Sequence, residues 1–200
     1  MSKDFFAHKA GSYESDDNRV SNVENIANSI IKGISLDRDM HLMDFGSGTG
    51  LLLERIAPFV DKITAVDISK SMSDQLARKQ ASLACEVQLL QVDLVTADIT
   101  DKYDGIISSM TMHHVKDTGA MFRKFHTLLN EGGFIAISDL DSEDGSFHTE
   151  DTGVYHSGFD REEIAHAAKQ AGFRDVEVSD ASIVRRPHGE YSVFLLTAKR

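Results

Sequence analysis

The segment Asp44-Phe-Gly-Ser-Gly-Thr-Gly50 has the composition of a loop that offers bare backbone to a ligand. Glycine at every second position permits a tight turn with left-handed backbone and removes side chains that would hold a ligand away. If a helix follows, its first N–H groups can face an anion or a polar tail. Two aspartates extend the pattern. Asp67 stands 21 residues after Gly46, the offset at which an acidic residue takes up ribose hydroxyls in dinucleotide folds. Asp93 closes the next apolar run, where a carboxylate and adjoining backbone could meet an exocyclic amine and ring nitrogen of adenine. The G-x-G-x-x-G fingerprint fails at Leu51, and no GxxxxGK[ST] occurs, so a nucleoside without a pyrophosphate fits better. For the glycines alone an ordinary strand-to-helix turn stays open, as does a helix cap or solvated strand end for Asp93.

Proton chemistry has two candidate locations. His113 and His114 are adjacent just past an apolar run. In an extended segment only one of them points inward. We favour His114 as the group that reaches substrate and His113 as the one that orients structure; capping of a following helix competes with both. The second location is the stretch containing Asp139, Asp141, Glu143, Asp144, His148 and His156, which should overhang a pocket. Carboxylates with histidines suit a hard cation or a cationic ligand, although a solvated acidic loop is the simpler reading. Cys85 is the single cysteine, so neither an internal disulfide nor a CxxC site exists. It reads as a small packed residue.

Strands must end where these aspartates stand. His41–Phe45, Ile63–Val66, Val87–Val92, Tyr103–Ser108 and Phe134–Ser138 are short β-rich runs. Helical patterns separate them at Leu51–Phe59, at Ser71–Ala84 with Ser71 and Asp74 in capping-box spacing, and at Ala120–Leu129 with a stop at Gly132-Gly133. An amphipathic helix over Asn22–Ile34 precedes them. A further helix is capped by Asp160 with Glu163 at the third position, stapled by Phe159 and Ile164, and ended at Gly172. Val176–Val184 and Tyr191–Ala198 form a hairpin across Arg-Arg-Pro-His-Gly-Glu, which must add one antiparallel strand. The alternation predicts an α/β sheet, mostly parallel, with helices on both faces. Ligands of such sheets bind at the carboxyl ends of the strands, near the switch point in strand order.

At 200 residues the chain is sized for one domain, and 41% hydrophobic with 26% charged residues is ordinary for a globule. Its net charge of −11 repels phosphate backbones and anionic lipid, so no nucleic-acid or membrane partner is expected. No apolar run reaches the roughly 20 residues of a membrane helix, and the first residues lack a continuous apolar signal stretch, so a cytoplasmic location is the expectation.

Met43-Asp-Phe-Gly-Ser-Gly-Thr-Gly50, Val66-Asp-Ile-Ser69, Val92-Asp-Leu94 and Tyr103-Asp-Gly-Ile-Ile-Ser-Ser-Met-Thr-Met-His-His114 together resemble the class I S-adenosylmethionine-dependent methyltransferases, closest to their small-molecule branch. The likeness runs over about residues 20–200. It implies a Rossmann-like seven-stranded sheet, order 3-2-1-4-5-7-6 with the last strand antiparallel and helices on both faces. It implies a single methyltransferase domain over 1–200, with an amino-terminal lid and helix in 1–35 and a catalytic α/β core in 36–200. The cofactor implied is S-adenosyl-L-methionine, with S-adenosyl-L-homocysteine as product. Gly46, Ser47 and Gly48 would contact its methionine part, and Asp44 would orient the loop or the ammonium group. Asp67 would hold both ribose hydroxyls, Ile68 would lie beside the adenosine, Met72 would stack nearby, and Asp93 and Leu94 would meet adenine. Ser109 and Met110 would face the sulfonium. Phe5–Tyr13 resembles the family's mobile lid, which makes Tyr13 and Lys9 further cofactor candidates.

The resemblance also bears on the acceptor. Amino-methylating nucleic-acid enzymes carry a Pro-Pro-Tyr element after the fourth strand, cytosine-C5 enzymes a Pro-Cys nucleophile, and protein-arginine enzymes paired glutamates. This chain has none of these there. Metal-assisted members place an acid where Ser108-Ser109 stands, so no metal is expected. A small organic acceptor, methylated at O, N or C, remains, with His113 and His114 at its site. Two other readings are a non-catalytic protein that binds or senses S-adenosylmethionine and a nicotinamide oxidoreductase, the latter disfavoured by Leu51. The oligomeric state is not legible.

Overall fold

Strand β1 (His41–Phe45) is buried at every residue after its first, and β2 (Lys62–Asp67) and β4 (Tyr103–Ser109) are buried along their centres. Strands of that kind need cover on both faces, which parallel sheets receive from crossover helices. The computed structural model describes residues 4–150 and 152–200; positions 1–3 of the expected amino-terminal region and Asp151 of the acidic stretch lie outside the described residues. With β3 (Glu86–Gln91), β5 (Leu129–Leu140), β6 (Arg174–Arg186) and β7 (Gly189–Lys199), the strands form one sheet in the order β3-β2-β1-β4-β5-β7-β6. All pairs are parallel except β5 with β7 and β7 with β6. The expected topology is therefore observed, and β1 is the switch point, flanked by β2 and β4.

Helices α1 (Asp17–Gly33), α2 (Leu51–Ile56) and α3 (Lys70–Lys79) cover one face, bringing Ile26, Ile30, Leu53 and Leu76 against Ile63 and Ile107. Helices α4 (Thr118–Leu128) and α5 (Arg161–Gln170) cover the other, where Phe122, Phe125 and Ile164 meet Ile106 and Phe194. The α5 start is as expected: the Asp160 carboxylate accepts from the N–H groups of Glu162 and Glu163. Among the described residues no helix is long and apolar enough to cross a membrane.

Four local expectations are corrected. The cap of α3 is Ser69, whose hydroxyl accepts from the Met72 N–H; Ser71 already lies in the first turn and its hydroxyl bonds Asp4, while Asp74 pairs with Lys70. Helix α3 also ends at Lys79, followed by a 3-10 turn over Gln80–Ser82. Gly132-Gly133 do not stop α4. Leu129 is already in β5, and the glycines occupy an irregularity that takes the register from Tyr103↔Leu129 to Gly105↔Phe134, with Gly132 at φ +79°. The closing strands run into the expected six-residue turn and leave only Pro187 and His188 between them.

The β4–β5 seam has no spare room at Gly105: an added Cβ would sit 2.3 Å from the Phe134 ring. Gly105→Ala should therefore destabilise the fold by about 1–3 kcal/mol through overpacking, read as a lowered urea midpoint with unchanged slope.

Candidate active site

The segments that follow β1, β4 and β5 enclose a cleft of about 500 Å³, closed by α1, the β6–β7 hairpin and the chain before α1. That size is ordinary for a small-ligand site. The glycine loop forms its floor. Gly46 and Ser47 donate their N–H groups to the Val66 carbonyl at 2.8 and 3.2 Å, and Gly48 donates to Asp67 Oδ2 at 2.7 Å. Gly46, at φ +71°, also has no room for a side chain, since a Cβ there would overlap Thr111. Gly48 differs: it needs glycine for its φ of +55°, yet nothing lies within 4 Å of its added Cβ. Its bare backbone faces open space.

Asp44 lies beneath this loop and is 1% exposed. Burial, reinforced by the Asp67 charge, pushes its carboxyl up to about 8, and its Oδ2 has no hydrogen-bond partner. A buried unpaired carboxylate is costly, which favours the protonated form near pH 7. Burial also raises Asp67, against the lowering effect of the Ser69 and Gly48 N–H groups bonded to its two oxygens.

The chain after β4 is not extended. Met112–His114 forms a 3-10 turn, and both histidines line the cleft with rings 4.3 Å apart, which corrects the expectation that only one would face inward. Just before the turn, Met110 holds a left-handed φ of +55°, unusual for a residue with a side chain. His113 is anchored from below: its Nδ1 lies 2.7 Å from Asp139 Oδ1 and its N–H donates to Asp139 Oδ2. Burial works to raise the Asp139 carboxyl, but facing His113 and the N–H groups of His113 and Leu140 hold it below the ordinary carboxylate range. His148, from the loop after β5, lies with its ring 4.9 Å from that of His113 and tilted by 48°. Burial, with the neighbouring imidazoles, pushes His114 and His148 down to about 4. Both are neutral near pH 7.

The amino-terminal segment covers this cluster. Phe6 packs edge-on to His114 at 5.6 Å, Lys9 Nζ lies 2.6 Å from Glu150, and Tyr13 lies under the Arg19 guanidinium. Asp4 bonds the Ser69 and Ser71 hydroxyls. Tyr13, Lys9, Asp44, Gly46, Ser47, Gly48, Ser109, Met110, His113 and His114 all line the cleft. Asp67 joins it through Gly48. Ile68, Met72, Asp93 and Leu94 lie outside that lining: Ile68 is exposed, Met72 and Leu94 are buried, and Asp93 accepts from the Val95 N–H. Of the candidates named in the acidic stretch only His148 reaches the lining, beside Phe147, Thr149 and Glu150 of the same loop, whereas Asp141 pairs with Arg161, Glu143 accepts from the Phe147 N–H, and His156 Nε2 meets the Val115 carbonyl. No metal-sized cluster of ligating side chains occurs among the described residues. Asn22 and Arg186 also line the cleft and were missed, since one reads as a helix residue and the other as a hairpin turn.

Residues 21–178 match the family described as methyltransferase domain. The chain belongs to this methyltransferase family. The resemblance carried by its glycine loop and strand-end aspartates therefore holds. An uncharacterised methyltransferase of Schizosaccharomyces pombe is 28% identical over 156 residues, 70% of this chain and 55% of that protein. A ubiquinone biosynthesis O-methyltransferase of Xanthomonas oryzae pv. oryzae is 27% identical over 108 residues, 53% of this chain and 45% of that protein. The chain thus spans about half the length of these curated relatives. Among solved structures, phosphoethanolamine N-methyltransferase 2 of Haemonchus contortus, in complex with phosphomonomethylethanolamine and S-adenosylhomocysteine, superposes with a TM-score of 0.75 at 16% identity, over 100% of this chain and 60% of that one. This likeness supports the fold.

In this member of the family, Asp44 sets a pH signature. The folded protein holds a proton on Asp44 that the unfolded chain releases above its ordinary 3.8, so stability falls as pH climbs from there toward about 8. Asp44→Asn should flatten that decline in the ligand-free protein, measured as the difference between wild-type and variant melting temperatures from pH 5 to pH 8.5. Parallel curves would place Asp44 in a solvated setting.

Proposed function

We propose that this chain transfers a methyl group from S-adenosylmethionine to a small organic acceptor. The observation that carries the reading is the Asp44 carboxylate, buried and unpaired at Oδ2 beneath a glycine loop whose Gly48 backbone is open to the cleft. An amino-acid tail suits this floor: its ammonium would ionise and pair with Asp44, and its remaining length would lie across Gly46, Ser47 and Gly48. The cofactor supplies a methyl group already activated on a sulfonium.

Asp67 would take the ribose. Its oxygens each accept one N–H, which leaves lone pairs for two hydroxyl donors. Adenine would then reach the ends of β2 and β3, where Ile68 and Val95 are exposed apolar side chains, Met72 and Leu94 pack beneath, and Asp93 offers a carboxylate. Ser109, with an unpartnered buried hydroxyl, and Met110 would border the sulfonium. Residues 36–200 serve as the catalytic core, and the segment before them as its lid and packing helix.

The chain's chemical contribution is alignment and exclusion of water. Phe6, Lys9 and Tyr13 form the cover. His114, neutral near pH 7, is placed to accept a proton if the acceptor's attacking oxygen or nitrogen carries one, and His113 is set by Asp139. The net charge of −11 favours a small acceptor over nucleic acid or an anionic membrane surface.

S-adenosylhomocysteine should raise the melting temperature, and methyl-labelled S-adenosylmethionine incubated with a metabolite extract should deliver label to a small molecule. Tight cofactor binding with no labelled acceptor would instead establish a sensor; stabilisation by NADH alone would overturn both. Asp67→Ala should weaken S-adenosylhomocysteine binding by about 1–3 kcal/mol, the scale of lost hydrogen bonds to a charged group, as measured by calorimetry on the folded variant.

A further inference from the structure

One wall of the cleft, built from α1, the loop after β5 and the β6–β7 hairpin, carries polar atoms with no partner in the protein: Asn22 Oδ1, His148 Nε2 and Arg186 Nε. Asn22 is only 5% exposed. Burying such a group unsatisfied is costly, so three on one wall mark a surface shaped for a polar ligand. They are separate from Asp44 and the glycine loop, which the cofactor would occupy.

The charges on this wall are unevenly matched. Lys9 is neutralised by Glu150 at 2.6 Å. Arg19 donates to the Tyr13 carbonyl and faces Asp16 at 3.5 Å. The Asp16 carboxylate also caps α1 by accepting from Asn18 and Arg19 N–H groups, and it stands 3.9 Å from Arg186 Nη1, the outer limit of an ion pair. Arg186 thus keeps most of its donor fork free. Its position is nevertheless defined. It ends β6 opposite Gly189, and its guanidinium lies 5.0 Å from the centre of the Phe147 ring. His188 Nε2 meets the Ser146 carbonyl at 2.9 Å and the Ser146 hydroxyl meets that of Tyr191 at 2.6 Å, tying the hairpin to the loop. Val23, Val184 and Phe147 supply apolar lining in the same cleft.

The geometry points to an anionic methyl acceptor: a small organic molecule with a carboxylate or phosphate ester held by Arg186 and an apolar body against Val23, Val184 and Phe147. A planar guanidinium with free donors binds both oxyanions in forked fashion, and a chain of net charge −11 needs such a local cation to admit an anion at all. The inference rests on the methyl-transfer reading and names the acceptor class for it.

The test titrates four probes with a common ring, benzoate, phenyl phosphate, benzyl alcohol and benzylamine, into the protein saturated with S-adenosylhomocysteine, followed by NMR. Benzoate or phenyl phosphate should bind roughly tenfold or more tightly than the alcohol and the amine, the scale of one charge-assisted contact. Arg186→Gln should abolish that preference while leaving S-adenosylhomocysteine affinity unchanged, and Arg186→Lys should retain part of it. Equal or tighter binding of the alcohol or amine, or a preference that survives Arg186→Gln, overturns the proposal. S-adenosylhomocysteine affinity is read separately, and the series repeated on ligand-free protein decides the anion seat by itself, so failure of the cofactor reading and failure of this one are distinguishable.

Discussion

The last turn of β2 holds the loop of the neighbouring strand, and the site depends on that attachment. The Val66 carbonyl takes the N–H groups of Gly46 and Ser47, and the Asp67 carboxylate takes that of Gly48. These three bonds give the loop's backbone donors their partners, and their satisfaction fixes the loop's path. With the path fixed, Gly46 is pressed against Thr111 from β4's side and Gly48 is left open to the cleft. A switch point alone supplies a crevice; the end of β2 decides which backbone atoms face into it.

Burial acts on two carboxylates in opposite ways. Asp139 faces His113 and accepts three hydrogen bonds, so it remains ionised and the imidazole is held in one orientation. Asp44 is as deeply buried but has no hydrogen-bond partner at Oδ2 and a negative neighbour in Asp67, and so holds its proton. The first arrangement is internally complete and serves as a fixed support. The second leaves an oxygen unsatisfied, which is the feature the proposed ammonium contact would use. A similar contrast separates Arg19, which donates to the Tyr13 carbonyl and faces Asp16 at 3.5 Å, from Arg186, whose ion-pair contact with Asp16 is 3.9 Å and whose Nε has no partner.

Much of the architecture was legible because it depends on short-range chemistry. Apolar runs of strand length, the Asp160 cap and the hairpin at the carboxyl end each act within a few residues, and their order leaves few sheets to choose from. Errors arose where two local signals competed. Ser69 and Ser71 are both good caps, and Asp4 accepts from both hydroxyls; Ser69 is the cap because it holds the extended backbone before the first turn and its hydroxyl accepts from the Met72 N–H, while Ser71 already lies inside that turn. Gly132-Gly133 resemble a helix stop but relieve a register mismatch between β4 and β5. His113 and His114 were read as an extended pair, whereas a 3-10 turn, held by Asp139 through the His113 N–H, turns both rings to the cleft.

By itself the sequence determined the alternation of strands and helices, the family resemblance that implied the strand order, and the loop that forms the cleft floor, because glycine spacing and strand-end aspartates express backbone constraints that act locally. Only the tertiary structure decided which polar atoms are left without partners. Asn22, His148 and Arg186 come from a helix, a loop and a hairpin far apart in the chain. Whether each is satisfied depends on every neighbour the fold brings to it, and no spacing along the chain encodes that.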